Sequence, residues 1–435
     1  MPAKGPWTGV ELSDTSSLFQ HEDGPVAAHD GAPNHFQSTL SLSLELASVA
    51  YTMDPAPWIQ AGWRDFSILV NRALLTGEML TGTGTRLNDL TRTTLQALAN
   101  GTDMFYHGML SSGVRFYGEN ALWQDTPYYF VQDGQVVAIP TETVYGLAGN
   151  AFNPDALAKI FAAKERPTFD PLIVHICDIK QLADVARDIP DAAYRLAEAY
   201  WPGPMTLVLP KKDCIPDLAT SGLPSVAVRF PSHPVAQEII RKSNLPLAAP
   251  SANLFKHVSP TTAMHVAEQL SGRIAGIVDG GPCQVGVESA IISLLNETPT
   301  ILRPGAVTAE MVERVLGKVA LGVSSSKPGK PMAAPGQLDT HYRPQVPLYY
   351  GPIKKDYKLP TRTVRIAFGT TEGPIPGTVN LSKTGDLVEA TAKLYALMHE
   401  LDRPEYDLIL VDPIPDTGLG MALNDRLRRA SIKKF

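Results

Sequence analysis

The sequence predicts an α/β protein with a many-stranded sheet, followed by a second, smaller α/β domain. From about residue 134 onward, short apolar runs alternate with segments in which apolar residues recur at helical spacing. A stretch rich in glycine, proline and serine at 322–337 interrupts this pattern, and the alternation resumes after it. Strands that alternate with helices form sheets covered by helices, so the sequence predicts two α/β domains joined by a mobile linker.

The strands predicted before the linker are short apolar runs. They are QVVAIP (135–140), PLIVHI (171–176), MTLVLP (205–210), SVAVRF (225–230), PLAAP (246–250), GIVDGG (276–281), AIISLL (290–295) and PTILRP (299–304). Helices are predicted at 154–164, 191–201, 233–243, 261–271 and 308–316. After the linker, strands are predicted at 364–369 and 407–413, and helices at 386–401 and 420–431.

The first 119 residues differ in composition from the rest of the chain. They hold six basic and 12 acidic residues, whereas the remainder holds 32 of each, so the whole net charge of −6 arises there. No lysine occurs between Lys4 and Lys159. This contrast predicts that residues 1–119 form a separate, acidic module of unassigned function.

Within this module, residues 1–35 show little apolar periodicity and are expected to be flexible. Alternating leucines at 40–46 predict a strand, and apolar spacing predicts helices at 57–76 and 85–99. The predicted organisation is an N-terminal segment at 1–119, a large α/β domain at 120–316, a linker at 317–345 and a small α/β domain at 346–435.

Composition and missing motifs exclude several functional classes. No apolar run reaches the roughly 18 residues of a membrane span, and the N-terminus lacks an apolar signal core, so a cytoplasmic protein is expected. The three cysteines form no CxxC pair, which argues against a disulfide framework or a thiolate zinc site. No GxSxG, HExxH or GxxxxGK[ST] motif occurs, which disfavours hydrolase, zincin and P-loop chemistry.

Five segments place hydroxyls and cations beside predicted strand ends, where α/β folds bind ligands. They are PTETVYGLAGNAF (140–152), AKERPTFDPLIVH (163–175), APSANLFKHVSPT (249–261), GVESAII (286–292) and ILRPG (301–305). Each has a structural alternative, since hydroxyls cap turns and cations such as Lys164 complement helix ends. Together they supply cations and hydrogen-bond donors but no evident nucleophile, which favours electrostatic catalysis on an anionic substrate.

The order and spacing of these segments resemble the YrdC-like domain of threonylcarbamoyl-AMP synthases. The motifs are PTETVYGL, AKERPTFDPLIVHI, YWPGPMTLVLP, SVAVRFPSHP, APSAN, VESAI and LRPGA. APGQLDTHYRP (334–344) resembles the interdomain segment of the family, and EATAKLYALMHELD and GLGMALNDRLRRAS resemble the C-terminal domain of its two-domain members. The resemblance leaves residues 1–119 uncovered.

The resemblance implies a twisted YrdC-like sheet with helices and a smaller, Rossmann-like C-terminal domain. It also implies a nucleotidyltransferase that converts L-threonine, bicarbonate and ATP to threonylcarbamoyl-adenylate and pyrophosphate, with Mg²⁺ as cofactor. The implied partner is a separate transferase that uses the adenylate to modify tRNA, and a weak contact with tRNA itself is consistent with this. No association with a membrane is implied.

Matching positions in the motifs imply roles for individual residues. The implied threonine-binding residues are Thr141, His175, Arg229, Ala249 and Ser289. The residues implied around ATP are Lys164, Arg166, Thr168, Ser225, Ser251, Asn253, Ser259 and Arg303. Three of these, Lys164, Arg166 and Arg303, are expected to be catalytic, because they can neutralise charge that develops on the phosphates. His341 and Tyr342 are expected to form an interdomain lid over the nucleotide, and no residue is expected to hold a resident metal.

The chain departs from the family pattern at Ala290, at Phe255-Lys256, at Asp339 and at Pro127, which lies inside the segment expected to enter the first strand. Two other functions therefore stay open at this point. One is a catalytically degenerate, nucleotide- or RNA-binding paralogue. The other keeps the adenylate chemistry but uses a different acceptor, reached through the N-terminal module.

Overall fold

The computed structural model describes residues 127–322, 332, 334–336, 338, 340–351, 358–370 and 375–432, and four short strands before them. These strands are β1 (Gln20–His21), β2 (Gly24–Pro25), β3 (Phe105–Met109) and β4 (Arg115–Gly118). The strand expected at 40–46 and the helices expected at 57–76 and 85–99 lie outside the described residues. None of the described helices is both long and apolar enough to span a bilayer.

Residues 127–322 form a large α/β lobe. Its strands are β5 (Val137–Ile139), β6 (Gly146–Asn150), β7 (Ile173–His175), β8 (Met205–Pro210), β9 (Ser225–Arg229), β10 (Leu247–Ala248), β11 (Gly276–Asp279), β12 (Ala290–Ser293), β13 (Thr300–Arg303) and β14 (Ala320–Leu321). In the sheet they follow the order β14-β13-β12-β8-β9-β7-β10-β6-β5-β11, with parallel and antiparallel neighbours mixed.

The helices of the large lobe cover this sheet. They are α1 (Pro127–Gln132), α2 (Pro154–Lys164), α3 (Leu182–Val185), α4 (Asp191–Tyr200), α5 (Asp217–Thr220), α6 (Pro234–Ser243), α7 (Ala263–Leu270) and α8 (Ala309–Leu316), with a 3₁₀ turn at Ile179–Gln181. Every strand and every longer helix predicted for this part of the chain is confirmed to within a few residues. Helix α1 begins at Pro127 rather than being broken by it, because proline fits the first helical position.

Two strands of the large lobe were not predicted: β6 and the two-residue β14. Residues 140–152 follow the predicted strand QVVAIP, and β6 forms within them and pairs with β5 as an antiparallel hairpin. Glycine at 149 allows close packing here, because a Cβ atom would lie 3.2 Å from Val136 and 3.3 Å from Ile160. Small residues give little β signal in a sequence, which explains why the strand was missed.

Residues 346–432 form a small lobe with a parallel sheet, which confirms the second α/β domain. Its strands are β15 (Leu348–Tyr350), β16 (Thr363–Ala367), β17 (Val379–Asn380) and β18 (Leu408–Val411), in the order β15-β18-β16-β17. Helices α9 (Leu387–Leu401) and α10 (Leu419–Ala430) pack against each other. The two strands that were not predicted, β15 and β17, are too short to show a periodic pattern.

The two lobes share one apolar core. Val258 and Val287 of the large lobe are buried in the same cluster as Leu394, Leu423 and other side chains of the small lobe. The described residues from Pro127 onward accordingly belong to one compact unit. Side chains of the small lobe can therefore reach the sheet edge of the large lobe and act there.

A stacked histidine pair lies where α7 of the large lobe meets α9 of the small lobe. The rings of His265 and His399 are 3.9 Å apart and nearly parallel, at 19°. The His265 Nδ1 atom accepts a hydrogen bond from the Thr261 amide, and His399 Nε2 donates one to the Ser259 carbonyl. Burial, together with the neighbouring His399 ring, lowers the pKa of His265 to about 3. Both rings are thus neutral in the folded protein at neutral pH.

This pair predicts that acid weakens the folded state. Below pH 6.5 His265 is protonated in the unfolded chain, whereas in the folded protein it stays neutral down to about pH 3. The free energy of unfolding therefore decreases as the pH falls from 6.5 to about 3. Urea unfolding followed by tryptophan fluorescence at pH 7.5 and 5.0 should show this loss, and the loss should be smaller in His265→Gln. Equal losses in both proteins would contradict the assignment.

Candidate active site

The register of five strands brings predicted site residues into one row. His175 on β7 pairs with Arg229 on β9, which pairs with Thr206 on β8. Thr206 pairs with Ile291 on β12, and Ile291 pairs with Arg303 on β13. Side chains directly opposite on neighbouring strands point to the same face, so His175, Arg229 and Arg303 lie on one side within about 19 Å.

A cavity, partly open to solvent, lies over this row. Residues of the large lobe and of the interdomain segment line it. From the predicted set, the lining includes Arg166, His175, Arg229, Ala249, Ser251, Ser289, Arg303, His341 and Tyr342. The sheet edge therefore gathers most of the predicted threonine, phosphate and lid residues around one space.

Arg303 is held at the cavity by the tight turn that follows it. Its Nε donates to the Ser289 carbonyl at 3.0 Å and its Nη2 to the Ser289 Oγ at 3.2 Å. The Ser289 hydroxyl also lies 2.7 Å from the Thr206 hydroxyl. Gly305 permits this approach, because a Cβ there would come within 2.2 Å of the Ala290 amide nitrogen. The Arg-Pro-Gly sequence thus fixes both Arg303 and Ser289.

Lys164 lies at the end of α2 and braces the loop after β10. Its Nζ donates to the Ser251 carbonyl at 2.5 Å and to the Asn253 carbonyl at 2.6 Å. The side chain is buried, and burial together with the neighbouring Arg166 holds its pKa well below the usual value for lysine. No carboxylate forms an ion pair with Lys164 within the part of the chain that the structure describes.

Arg166, in contrast, has a buried partner that was not predicted. Its Nη2 lies 2.9 Å from Asp170 Oδ2, and both side chains are almost fully buried. Nε and Nη2 also donate to the carbonyls of Asp170 and Pro171. This pairing fixes the guanidinium at the cavity wall but also neutralises most of its charge.

Arg229 and His175 form the other end of the cavity. Arg229 Nη2 lies 2.7 Å from Glu142 Oε1, yet its Nε and Nη2 have no aligned hydrogen-bond acceptor among the described residues. Burial, with the nearby Arg229, lowers the pKa of His175 to about 3, so this ring is neutral. Buried donors without acceptors are costly, and a bound carboxylate would satisfy those of Arg229.

The interdomain segment covers the cavity. Pro335 accepts a hydrogen bond from Arg303 Nη1 at 3.3 Å, and the His341 ring lies edge-on to Phe255 with 6.3 Å between ring centroids. Burial, with Arg166 and Lys164 nearby, lowers the pKa of His341 well below its usual value. The Tyr342 hydroxyl is buried and has no partner among the described residues. The predicted lid residues therefore already face the cavity, although most of the predicted mobile linker at 322–337 lies outside the described residues.

Four predicted residues lie around the cavity without lining it: Lys164, Thr141, Asn253 and Ser259. Thr141 uses its hydroxyl within its own turn and donates to the Val144 carbonyl at 2.6 Å. Asn253 ties its loop to the carbonyls of Leu254 and His257, and the Ser259 hydroxyl donates to Glu288.

Two predicted ATP residues lie away from the others. Thr168 is exposed. Ser225 begins β9, four residues before Arg229, which places it about 13 Å along the strand from that residue. Neither lines the cavity, so the part that each plays with ATP stays a prediction.

Three residues of the site were missed from the sequence: Asp170, Glu288 and Arg426. Asp170 and Glu288 stand inside the quoted motifs, and a carboxylate in an apolar strand-edge motif is a signal that it has a buried partner. Arg426 is fully buried and comes from α10, more than 100 residues after the sheet it contacts. Nothing local in the sequence indicates that contact.

The described residues do not form a resident metal site. They contain no group of three or more His, Cys, Asp or Glu side chains placed to hold a metal ion. Asp170 and Glu288 are occupied by Arg166 and Arg426. Magnesium prefers free carboxylate oxygens or phosphates, so these residues do not fit a Mg²⁺ ion held by protein alone.

Two family models match consecutive parts of the chain. Residues 129–305 match the Sua5_yciO_yrdC model, described as telomere recombination. Residues 307–431 match the model described as threonylcarbamoyl-AMP synthase, C-terminal domain. The two models together span both described lobes.

Curated relatives and a solved structure resemble the same part of the chain. The threonylcarbamoyl-AMP synthase of Bacillus subtilis (strain 168) is 42% identical over 313 residues, which are 69% of this chain and 90% of that protein. That of Pyrococcus abyssi is 40% identical over 312 residues, 69% of this chain and 92% of the relative. A crystal structure of P. abyssi Sua5 complexed with L-threonine gives a TM-score of 0.64 at 39% identity, covering 70% of this chain and 92% of that one.

Proposed function

This chain belongs to the threonylcarbamoyl-AMP synthase family, and we propose that it makes threonylcarbamoyl-AMP from L-threonine, bicarbonate and ATP, releasing pyrophosphate. Transfer of the adenylyl group would make it a nucleotidyltransferase. It would act in the cytoplasm and pass the adenylate to a separate transferase that modifies tRNA.

The observation that carries the proposal is a pair of buried basic side chains, one lining the cavity and one beside it, that have no carboxylate partner among the described residues. Among the residues that the structure describes, Lys164 donates only to the neutral oxygens of Ser251 and Asn253, and Arg303 only to those of Ser289 and Pro335. Burying a cation without a carboxylate is unfavourable. A polyanionic substrate would relieve this cost, and the triphosphate of ATP is such a substrate.

The opposite end of the cavity supports threonine as the second substrate. Arg229 has buried Nε and Nη2 atoms with no aligned acceptor among the described residues, and a bidentate carboxylate fits such a fork. The neutral His175 beside it can exchange hydrogen bonds without adding charge. We assign the threonine carboxylate to Arg229 and keep Ala249, Ser289 and Thr141 as the proposed neighbours of its side chain and amino group.

In the proposed reaction, the deprotonated amino nitrogen of threonine bonds to the bicarbonate carbon, and loss of water leaves a carbamate. A carbamate oxygen then attacks the α-phosphorus of ATP, and the bond from phosphorus to the pyrophosphate oxygen breaks. Mg²⁺ would enter bound to the ATP phosphates, as part of the substrate. Lys164, Arg166 and Arg303 would stabilise the charge on the α-phosphate and on the leaving pyrophosphate.

The lid residues have a place in the same proposal. His341 and Tyr342 line the cavity from the interdomain segment, so this segment could close over the bound nucleotide. Closure would exclude water from the adenylate, which is prone to hydrolysis.

The comparisons favour synthesis over the degenerate paralogue, because the relatives that match two thirds of the chain are named synthases. At the Ala290 departure, the alanine is fully buried at the start of β12 and donates its amide to the Pro204 carbonyl. Phe255 packs beside His341. Ala290 and Phe255 therefore both pack beside residues that line the cavity.

The first prediction concerns the requirement for both small substrates. The full chain with ATP and Mg²⁺ should release pyrophosphate only when L-threonine and bicarbonate are both present, because the attacking carbamate needs both. A coupled pyrophosphate assay measures this, with serine in place of threonine as the control. Release that is absent or indifferent to threonine would refute the proposed synthesis, and ATP binding without release would favour the degenerate paralogue.

The second prediction concerns the two buried cations. Lys164→Ala and Arg303→Ala should each lower kcat/KM by about 100-fold or more, because each removes a charge that faces the phosphates. Lys393→Ala removes an exposed lysine paired with Glu389 on α9 and should leave the rate unchanged. Circular dichroism checks that each variant is folded. Normal turnover of both cavity variants would show that the phosphate assignments are wrong.

A further inference from the structure

Side chains of the small lobe form hydrogen bonds with a carboxylate of the large lobe that lines the cavity. Glu288 precedes Ser289 in the chain, and its side chain is buried. One oxygen accepts from Arg426 Nε at 2.9 Å, and the Tyr395 hydroxyl lies 3.0 Å from the same oxygen. The other oxygen accepts from the Ser259 hydroxyl at 2.5 Å. Two of these three partners, Arg426 and Tyr395, belong to the small lobe.

Arg426 also donates hydrogen bonds to backbone carbonyls next to Arg303 and Ser289. Its Nη1 donates to the Pro304 carbonyl at 2.8 Å, directly after Arg303. Its Nη2 donates to the Glu288 carbonyl at 3.3 Å, directly before Ser289. A single, fully buried guanidinium thus fixes the two segments that meet in the Arg303–Ser289 hydrogen bonds.

Arg426 and Arg303 differ in the number of carboxylates that pair with them. Arg426 has two carboxylate partners, since its Nη1 also lies 3.0 Å from Asp425. Arg303 has no ion pair among the described residues, although Glu288 lines the same cavity. Burial alone would raise the pKa of Glu288, but Arg426 and Arg303 together hold it below its usual value. Glu288 is therefore a charged carboxylate within electrostatic reach of both arginines, and Arg426 holds it.

We propose that Arg426 is a positioning residue of the active site, which holds the Glu288 carboxylate and so prevents it from pairing with Arg303. Arg303 then has no carboxylate partner and is free to bind the phosphates of ATP. The inference rests on the proposed function, because it uses the assignment of Arg303 to ATP. It gives the small lobe a specific task, which is to keep the phosphate site cationic.

The test measures KM for ATP and for threonine separately, using pyrophosphate release by the full chain. Arg426→Met frees the Glu288 carboxylate, so KM for ATP should rise at least tenfold while KM for threonine changes less than threefold. Arg428→Met on the same helix removes an exposed arginine paired with Asp416 and is the matched control, with no change expected. A KM for ATP unchanged in Arg426→Met would overturn the proposal.

A double variant separates the charge effect from loss of structure. In Glu288→Gln/Arg426→Met the competing carboxylate is gone as well, and a buried ion pair can often be replaced by neutral side chains. This variant should recover a KM for ATP within about threefold of the wild type, and Arg426→Lys should also stay close to it because lysine can still pair with Glu288.

The double variant decides the matter even if Arg426→Met fails to fold. A folded double variant whose KM for ATP is raised tenfold or more would show that Arg426 acts only through structure and would overturn the proposal. Failure of the wild type to release pyrophosphate with threonine would instead refute the proposed function, so the two failures are distinguishable.

Discussion

Buried positive charge is the constraint on which the site depends. Five cations lie at or beside one cavity, and among the described residues carboxylates pair with three of them, Arg166, Arg229 and Arg426. Lys164 and Arg303 are left with neutral oxygens. Desolvation makes this arrangement costly in the free protein, and the surrounding fold must hold it in place. A bound polyanion would reduce this cost. The buried cations therefore lower the stability of the free protein and favour binding of the substrate.

The rigidity needed to hold these cations comes from both lobes. The sheet of the large lobe sets their spacing through strand register, and the turn at Gly305 brings Arg303 onto Ser289. The small lobe shares an apolar core with the large one and supplies Arg426, which fixes Glu288. Arg426 of the small lobe thus balances the charge of Glu288 in the large lobe. We infer that both lobes are needed for an active site.

The fold was largely predictable because buried strands leave continuous apolar runs, and all the runs identified before the linker are strands. β6 was missed because glycine and alanine carry no such signal. Most cavity residues were predictable as well, since strand ends at one sheet edge converge. The partner of Glu288 was not, because Arg426 reaches it only through packing between lobes.

The most direct test of the central claim is proton uptake when MgATP binds. Burial holds the pKa of Lys164 well below its usual value in the free protein, and a phosphate beside it would favour the charged form. Isothermal titration calorimetry at several pH values between 7 and 10, in buffers of different ionisation enthalpy, measures the number of protons exchanged. The account predicts net uptake by the wild-type chain and none by Lys164→Met. Binding without uptake, or the same uptake in both proteins, would contradict it.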